Sequence, residues 1–127
     1  MNLDITRIYV CTTCRSAEEP PEPREQRAGA RLFTALQARA ETGVRIIPVE
    51  CLSVCKKPCT VSFAAPGKWT YIYGDLSADT SAETILIGAA LYAQAPDGLI
   101  PWKQRPDPLK KGVVARIPPL DAVHSNS

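Results

Sequence analysis

The sequence predicts an α/β domain with a four-stranded mixed sheet, two main helices and an extended C-terminal arm. Three observations carry that reading. Short β-branched and aromatic runs recur along the chain, two longer stretches read as helices, and the composition changes to proline and base after Gln94.

The first run, Arg7-Ile8-Tyr9-Val10, predicts a strand that stops at Cys11. The acidic stretch Glu18-Glu19-Pro20-Pro21-Glu22-Pro23 follows soon after. Its prolines remove amide donors and push their predecessors toward extended geometry, so it reads as an exposed loop and its carboxylates as a solvated surface. From Arg27 to Thr42 the apolar residues Ala28, Leu32, Phe33, Leu36 and Ala40 recur at helical spacing, and Gly43 supplies a stop. Val44 to Val49 then reads as a second strand. A strand, helix and strand of this length imply a parallel crossover.

Thr60 to Ala64 and Trp69 to Tyr73 alternate as strands do, and Ala65-Pro66-Gly67-Lys68 between them is a turn signal, so the pair predicts an antiparallel hairpin. Trp69, Tyr71 and Tyr73 share one face, and packing explains them more simply than a cofactor site. Thr80-Ser81-Ala82-Glu83 has capping-box spacing ahead of a helix from Thr84 to Gln94. Its residues Ile85, Leu86, Ile87, Ala89, Ala90, Leu91 and Tyr92 cover more than one face, which predicts a homodimer contact. Residues 1–95 are therefore expected to form the core domain. Residues 96–127, with six prolines among Lys103, Arg105, Lys110, Lys111 and Arg116, form the arm, its end disordered.

Composition narrows the function. A formal net charge of +2 and 6% aromatic residues provide neither the cationic surface nor the stacking platforms that nucleic acid requires. No run approaches the roughly 20 apolar residues of a membrane span. The first residues, Met1-Asn2-Leu3-Asp4-Ile5-Thr6-Arg7, do not read as a secretory signal, so a cytoplasmic location is expected. A reducing cytosol keeps thiols unpaired and makes clustered cysteines metal ligands or redox groups.

Four of the five cysteines form two such clusters. Cys11-Thr12-Thr13-Cys14 and Cys51-Leu52-Ser53-Val54-Cys55 each follow a strand of the parallel pair, so both loops should open at one end of the sheet. Four thiolates gathered there repel one another unless a cation neutralises them, which predicts a metal centre on Cys11, Cys14, Cys51 and Cys55. Pairs of this kind serve iron–sulfur clusters, zinc sites and redox dithiols alike. A Cys-x3-Cys pair is less typical of zinc ribbons, and Cys14 leads into a proline-rich loop instead of the helix N-terminus that activates a redox dithiol.

The order strand, cysteine pair, helix, strand, Cys-Leu-x-x-Cys, hairpin, helix resembles the thioredoxin-like [2Fe–2S] ferredoxins and the related cluster-bearing small subunit of NADH dehydrogenases. Cys51-Leu52-Ser53-Val54-Cys55-Lys56-Lys57-Pro58 matches that superfamily's Cys-Leu-Gly-x-Cys element and following proline, except for Ser53 in the glycine position. Cys11 and Cys14 are closer together than the ferredoxin's first pair. The whole chain also resembles an uncharacterised bacterial family of predicted metal-binding proteins, some thought to lie near cobalamin genes. The resemblance implies a thioredoxin-like fold and a [2Fe–2S] cluster on Cys11, Cys14, Cys51 and Cys55, with zinc as the alternative metal. It implies an electron carrier for a partner enzyme. Cys59 has no counterpart in the pattern and is expected to be a bystander, a neighbour of the ligands or a substitute ligand.

Arg15, Lys56 and Lys57 flank the cysteines, and their charge should favour the reduced, more anionic cluster. His124, in the tail, is set aside as a ligand. With no nucleotide loop and no nucleophile paired to a base, a stand-alone enzyme is not expected; thiol oxidoreductase activity is the minor alternative.

Overall fold

The computed structural model describes residues 5–12, 27–39, 43–50, 59–74, 76 and 81–119. Its sheet begins with strand β1, Thr6–Cys11, whose residues Ile8 and Val10 are fully buried. Helix α1, Ala28–Arg39, returns across the sheet, burying Ala28, Gly29, Leu32 and Leu36 at the predicted period. Strand β2, Val44–Val49, then pairs in parallel with β1 from Thr6↔Val44 to Cys11↔Val49. Pro48 sits in β2 without disrupting the sheet because β2 is an edge strand, where a missing amide donor need not cost a ladder bond.

Strands β3, Val61–Ala64, and β4, Thr70–Tyr73, form the expected antiparallel hairpin. Its turn closes through Lys68 N donating to Ala65 O, with Gly67 at φ 73°, a conformation that glycine adopts without strain. Helix α2, Ala82–Gln94, begins after Ser81 and buries Ala82, Ile85, Gly88, Ala89 and Tyr92. No basic residue lies in its last turn. Lys68 of the hairpin supplies the missing cation, donating from Nζ to the carbonyls of Tyr92 and Ala93 and lying 5.4 Å from the Tyr92 ring. A positive charge there meets the negative end of the helix dipole.

The sheet has five strands, not the four expected, in the order β2-β1-β3-β4-β5. The fifth, Val113–Ile117, comes from the stretch expected to be an arm outside the core, and it pairs antiparallel with β4. A short helix α3, Asp107–Lys111, precedes it and buries Leu109 completely. Proline suits the start of this helix, where amides lack intrahelical partners. Gly88 of α2 is what admits Leu109: a methyl group built there would overlap Leu109 Cδ1 and crowd Phe63. Part of the broad apolar surface of α2 is thus covered by α3 and by α1, while Ile87 remains half exposed.

An aromatic cluster fills the core between the hairpin and α2. Tyr71 and Tyr73 stack with centroids 5.5 Å apart, and Phe63 meets Tyr73 edge-on at 5.2 Å. Tyr71 Oη accepts bonds from Ile100 N and the Arg105 guanidinium, and Tyr92 Oη donates to Trp69 O. Tyr73 Oη is fully buried and meets no hydrogen-bond partner among the described residues; a buried phenol left so costs about 1–3 kcal/mol. Burial pushes the phenol of Tyr92 up to about 12 and that of Tyr73 higher still.

Two outcomes follow. Leu109→Ala should destabilise the protein by about 2–5 kcal/mol in urea titrations, because a fully buried leucine leaves a cavity; a loss below about 1 kcal/mol would show that α3 is a loose appendage. Tyr73 and Tyr92 hold their protons more tightly when folded than when unfolded, so their contribution is complete below about pH 10 and is lost as pH rises toward about 12. Stability should therefore fall above about pH 10, with phenolate absorbance at unfolding, and Tyr73→Phe should be more stable at neutral pH with a shallower alkaline decline.

Candidate metal centre

The parallel pair and the hairpin together determine what meets at one end of the sheet. β1 and β2 both finish there, at Cys11 and Val49, while β3, antiparallel to β1, starts there. Cys11 N donates to Thr60 O at 3.0 Å, which places Cys59 one residue beyond the last contact of β1 with β3. Thr12 donates from both N and Oγ1 to Val49 O, at 2.8 and 3.1 Å, and pins the chain leaving β1 against the end of β2. Cys11 Sγ lies 3.6 Å from Glu50 O and donates to it. Glu50 leads directly into Cys51.

Cys11 and Cys59 are both buried, at 2% and 3% exposure. The expected ligands Cys14, Cys51 and Cys55 lie outside the described residues, as do Arg15, Lys56, Lys57, His124 and the Glu18, Glu19 and Glu22 loop. Among the described residues no group of three or more His, Cys, Asp or Glu side chains is placed to hold a metal ion. What the structure does bring together is Cys11, the entry to Cys51, and Cys59.

Cys59 adopts φ 63°, in the left-handed region that an L-residue with a Cβ enters at a cost of about 1–2 kcal/mol. The spacing of the cysteines gave no sign of its position. Counting back from the alternating Val61 to Phe63 strand, paired with β1, would have found it.

A family model matches residues 8–119. The chain belongs to that family, described as a protein of unknown function (DUF1636). No curated protein matches it. Among solved structures, a thioredoxin-like [2Fe–2S] ferredoxin from Aquifex aeolicus superposes with a TM-score of 0.57 at 17% identity, over 88% of this chain and 92% of that one. A second structure of the wild-type ferredoxin from the same organism gives 0.54 at 16% identity, over 87% of this chain and 97% of its own. At such identities the likeness is one of fold, and it agrees with the thioredoxin-like ferredoxin topology expected from the sequence. Among the described residues no helix is long and apolar enough to cross a membrane.

Cys11, the one expected ligand among the described residues, suits an iron–sulfur cluster in donor chemistry. Cysteine thiolate is the ligand such clusters take, and the described Cys11 is a buried sulfur at the sheet end where Glu50 delivers the chain to Cys51. The left-handed backbone at Cys59 has its own consequence. Cys59→Gly should be about 1 kcal/mol more stable than Cys59→Ala at matched metal content, since both lose the sulfur and only glycine relieves the backbone; equal stabilities in urea titrations would show that Cys59 is unstrained.

Proposed function

We propose that this protein is a small electron carrier that holds one [2Fe–2S] cluster on Cys11, Cys14, Cys51 and Cys55 and exchanges electrons with a partner enzyme. The observation that supports this most is the convergence of Cys11 and the entry to Cys51 at one end of a thioredoxin-like sheet. When bound, the cluster would supply one-electron chemistry at a potential set by its surroundings.

The chain's own residues have definable tasks in that reading. Cys11 gives up the proton that its Sγ now donates toward Glu50 O, so loading the site releases protons and is favoured as pH rises. Thr12 holds the end of β1 against Val49 and so fixes the backbone that carries Cys11. Burial of Cys11 keeps water from its sulfur, one of the levers that sets a cluster's potential. Zinc fits the same ligand type and is the outcome that would displace this reading.

Protein isolated without air should be red-brown, carry about two irons and two sulfides per chain, and bleach with dithionite to a paramagnetic reduced state. Cys11→Ser and Cys51→Ser should each lose most of that colour. Colourless protein holding about one zinc per chain would overturn the proposal, as would insulin reduction that survives chelation.

A further inference from the structure

Charge is unevenly distributed along this chain. Between residues 101 and 117 lie five cations, Lys103, Arg105, Lys110, Lys111 and Arg116, and one anion, Asp107, a net of +4. The whole chain carries +2, so the remaining residues carry −2. Four of the five cations fall on the turn formed by the 3-10 helix Trp102–Gln104 and α3.

That turn is built, not loose. Trp102 is 57% exposed, the most exposed large apolar side chain described. The Arg105 guanidinium and Lys110 Nζ each lie 5.7 Å from its ring. Arg105 is itself fixed, donating from Nε to Ile100 O and from Nη2 to the buried Tyr71 Oη. Among the described residues Asp107 pairs with Lys110, at 3.7 Å. Lys103 and Lys111 are exposed.

Its position in the fold gives the patch a direction. β5 is antiparallel to β4, and Gly74 N, just past the end of β4, donates to Gly112 O. Lys110 and Lys111 therefore lie at the end of the sheet where Cys11 and Cys59 lie. From β3 to β5 is two strand spacings, about 10 Å, and from β1 to β5 three, about 14 Å.

We propose that the turn from Trp102 to Lys111 is the docking surface for a partner protein with an acidic face, which seats on Trp102 and the surrounding cations and so meets the cysteine end of the sheet. This rests on the electron-carrier reading and names the chemistry of its partner. A solvent-facing tryptophan with an arginine against its ring is the composition of an interface anchor, and the lysines beside it add the charge that draws in an acidic face. Its prior ordering by Arg105 reduces the entropy lost on binding, which favours a shaped acidic protein over a fluid layer of lipid headgroups. Nucleic acid fits less well, because a single exposed indole with two cations near its ring offers no run of stacking surfaces.

The test uses fluorescein-labelled poly-L-glutamate as the acidic probe, followed by the anisotropy of its label at low salt and at about 150 mM salt. Binding should weaken with salt. It should drop about tenfold or more in Lys110→Glu/Lys111→Glu, and survive in Arg7→Glu/Arg45→Glu, which makes the same charge change on exposed residues of β1 and β2 nearer the opposite end of the sheet. Lys103→Glu serves as the second variant should the double substitution unfold, and Trp102→Ala should weaken binding without a change of charge. Equal losses in the patch and control variants would overturn the proposal, as would tighter binding to duplex DNA or to phosphatidylserine vesicles. Iron content and visible spectrum of the same preparations report the carrier reading separately. A red-brown protein blind to the probe overturns the docking surface alone, and a colourless one that binds it through Lys110 and Lys111 overturns the carrier alone.

Discussion

Strand β1 is flanked by a parallel neighbour on one side and an antiparallel one on the other, and the rest of the molecule is arranged by that choice. A parallel partner requires a crossover, which α1 makes. It also means that both strands end at the same side, so the loops after them open together. An antiparallel partner begins where β1 ends, which brings Cys59 and Thr60 to the same place. Three chain segments meet there with no long-range contact needed beyond ordinary ladder pairing, reinforced by Thr12 on Val49 O and Cys11 N on Thr60 O.

The opposite edge of the sheet is stabilised by different means. β4 would be an exposed edge without β5, and an exposed edge is a template for pairing with other chains. The strand that covers it is short and partly solvated, so it depends on Leu109 and Ile100 entering the core ahead of it. Tyr71 links the two regions: its ring belongs to the aromatic cluster, while its hydroxyl accepts from Ile100 N and Arg105. Hydrogen bonds from a charged donor to a buried acceptor are among the stronger ones, and this pair ties the proline-rich stretch to the hairpin.

What the sequence revealed and what it concealed follow from how local each signal is. The hairpin was legible because Val61 to Ala64 and Thr70 to Tyr73 alternate around a Pro-Gly turn, and α1 because Leu32 and Leu36 lie on one face. α3 and β5 were not. Pro106 and Pro108 read as helix breakers, yet they lie at the start of a five-residue helix, where proline is tolerated. Val113 to Ile117 is too short and too mixed to show a period, and a register shift opposite Ile72 and Tyr73 spoils the alternation further. Its strand character comes from β4, a tertiary partner that no local window contains. The same holds at the site: Cys11 beside the entry to Cys51 was foreseeable from the parallel pair, whereas Cys59 depends on the register of β3 against β1.

These constraints join at Gly88. Because that position lacks a side chain, Leu109 Cδ1 occupies space on α2 that a Cβ would fill, with Phe63 beside the same position. The depth to which Leu109 enters sets where α3 rests, and α3 carries Lys110 and Lys111 on the turn that Trp102 caps. Any larger residue at 88 would lift α3 and shift those charges relative to the strand ends. A packing detail in the core thus governs the geometry of a surface, and residues that never meet a partner set how the basic turn faces the cysteine end of the sheet.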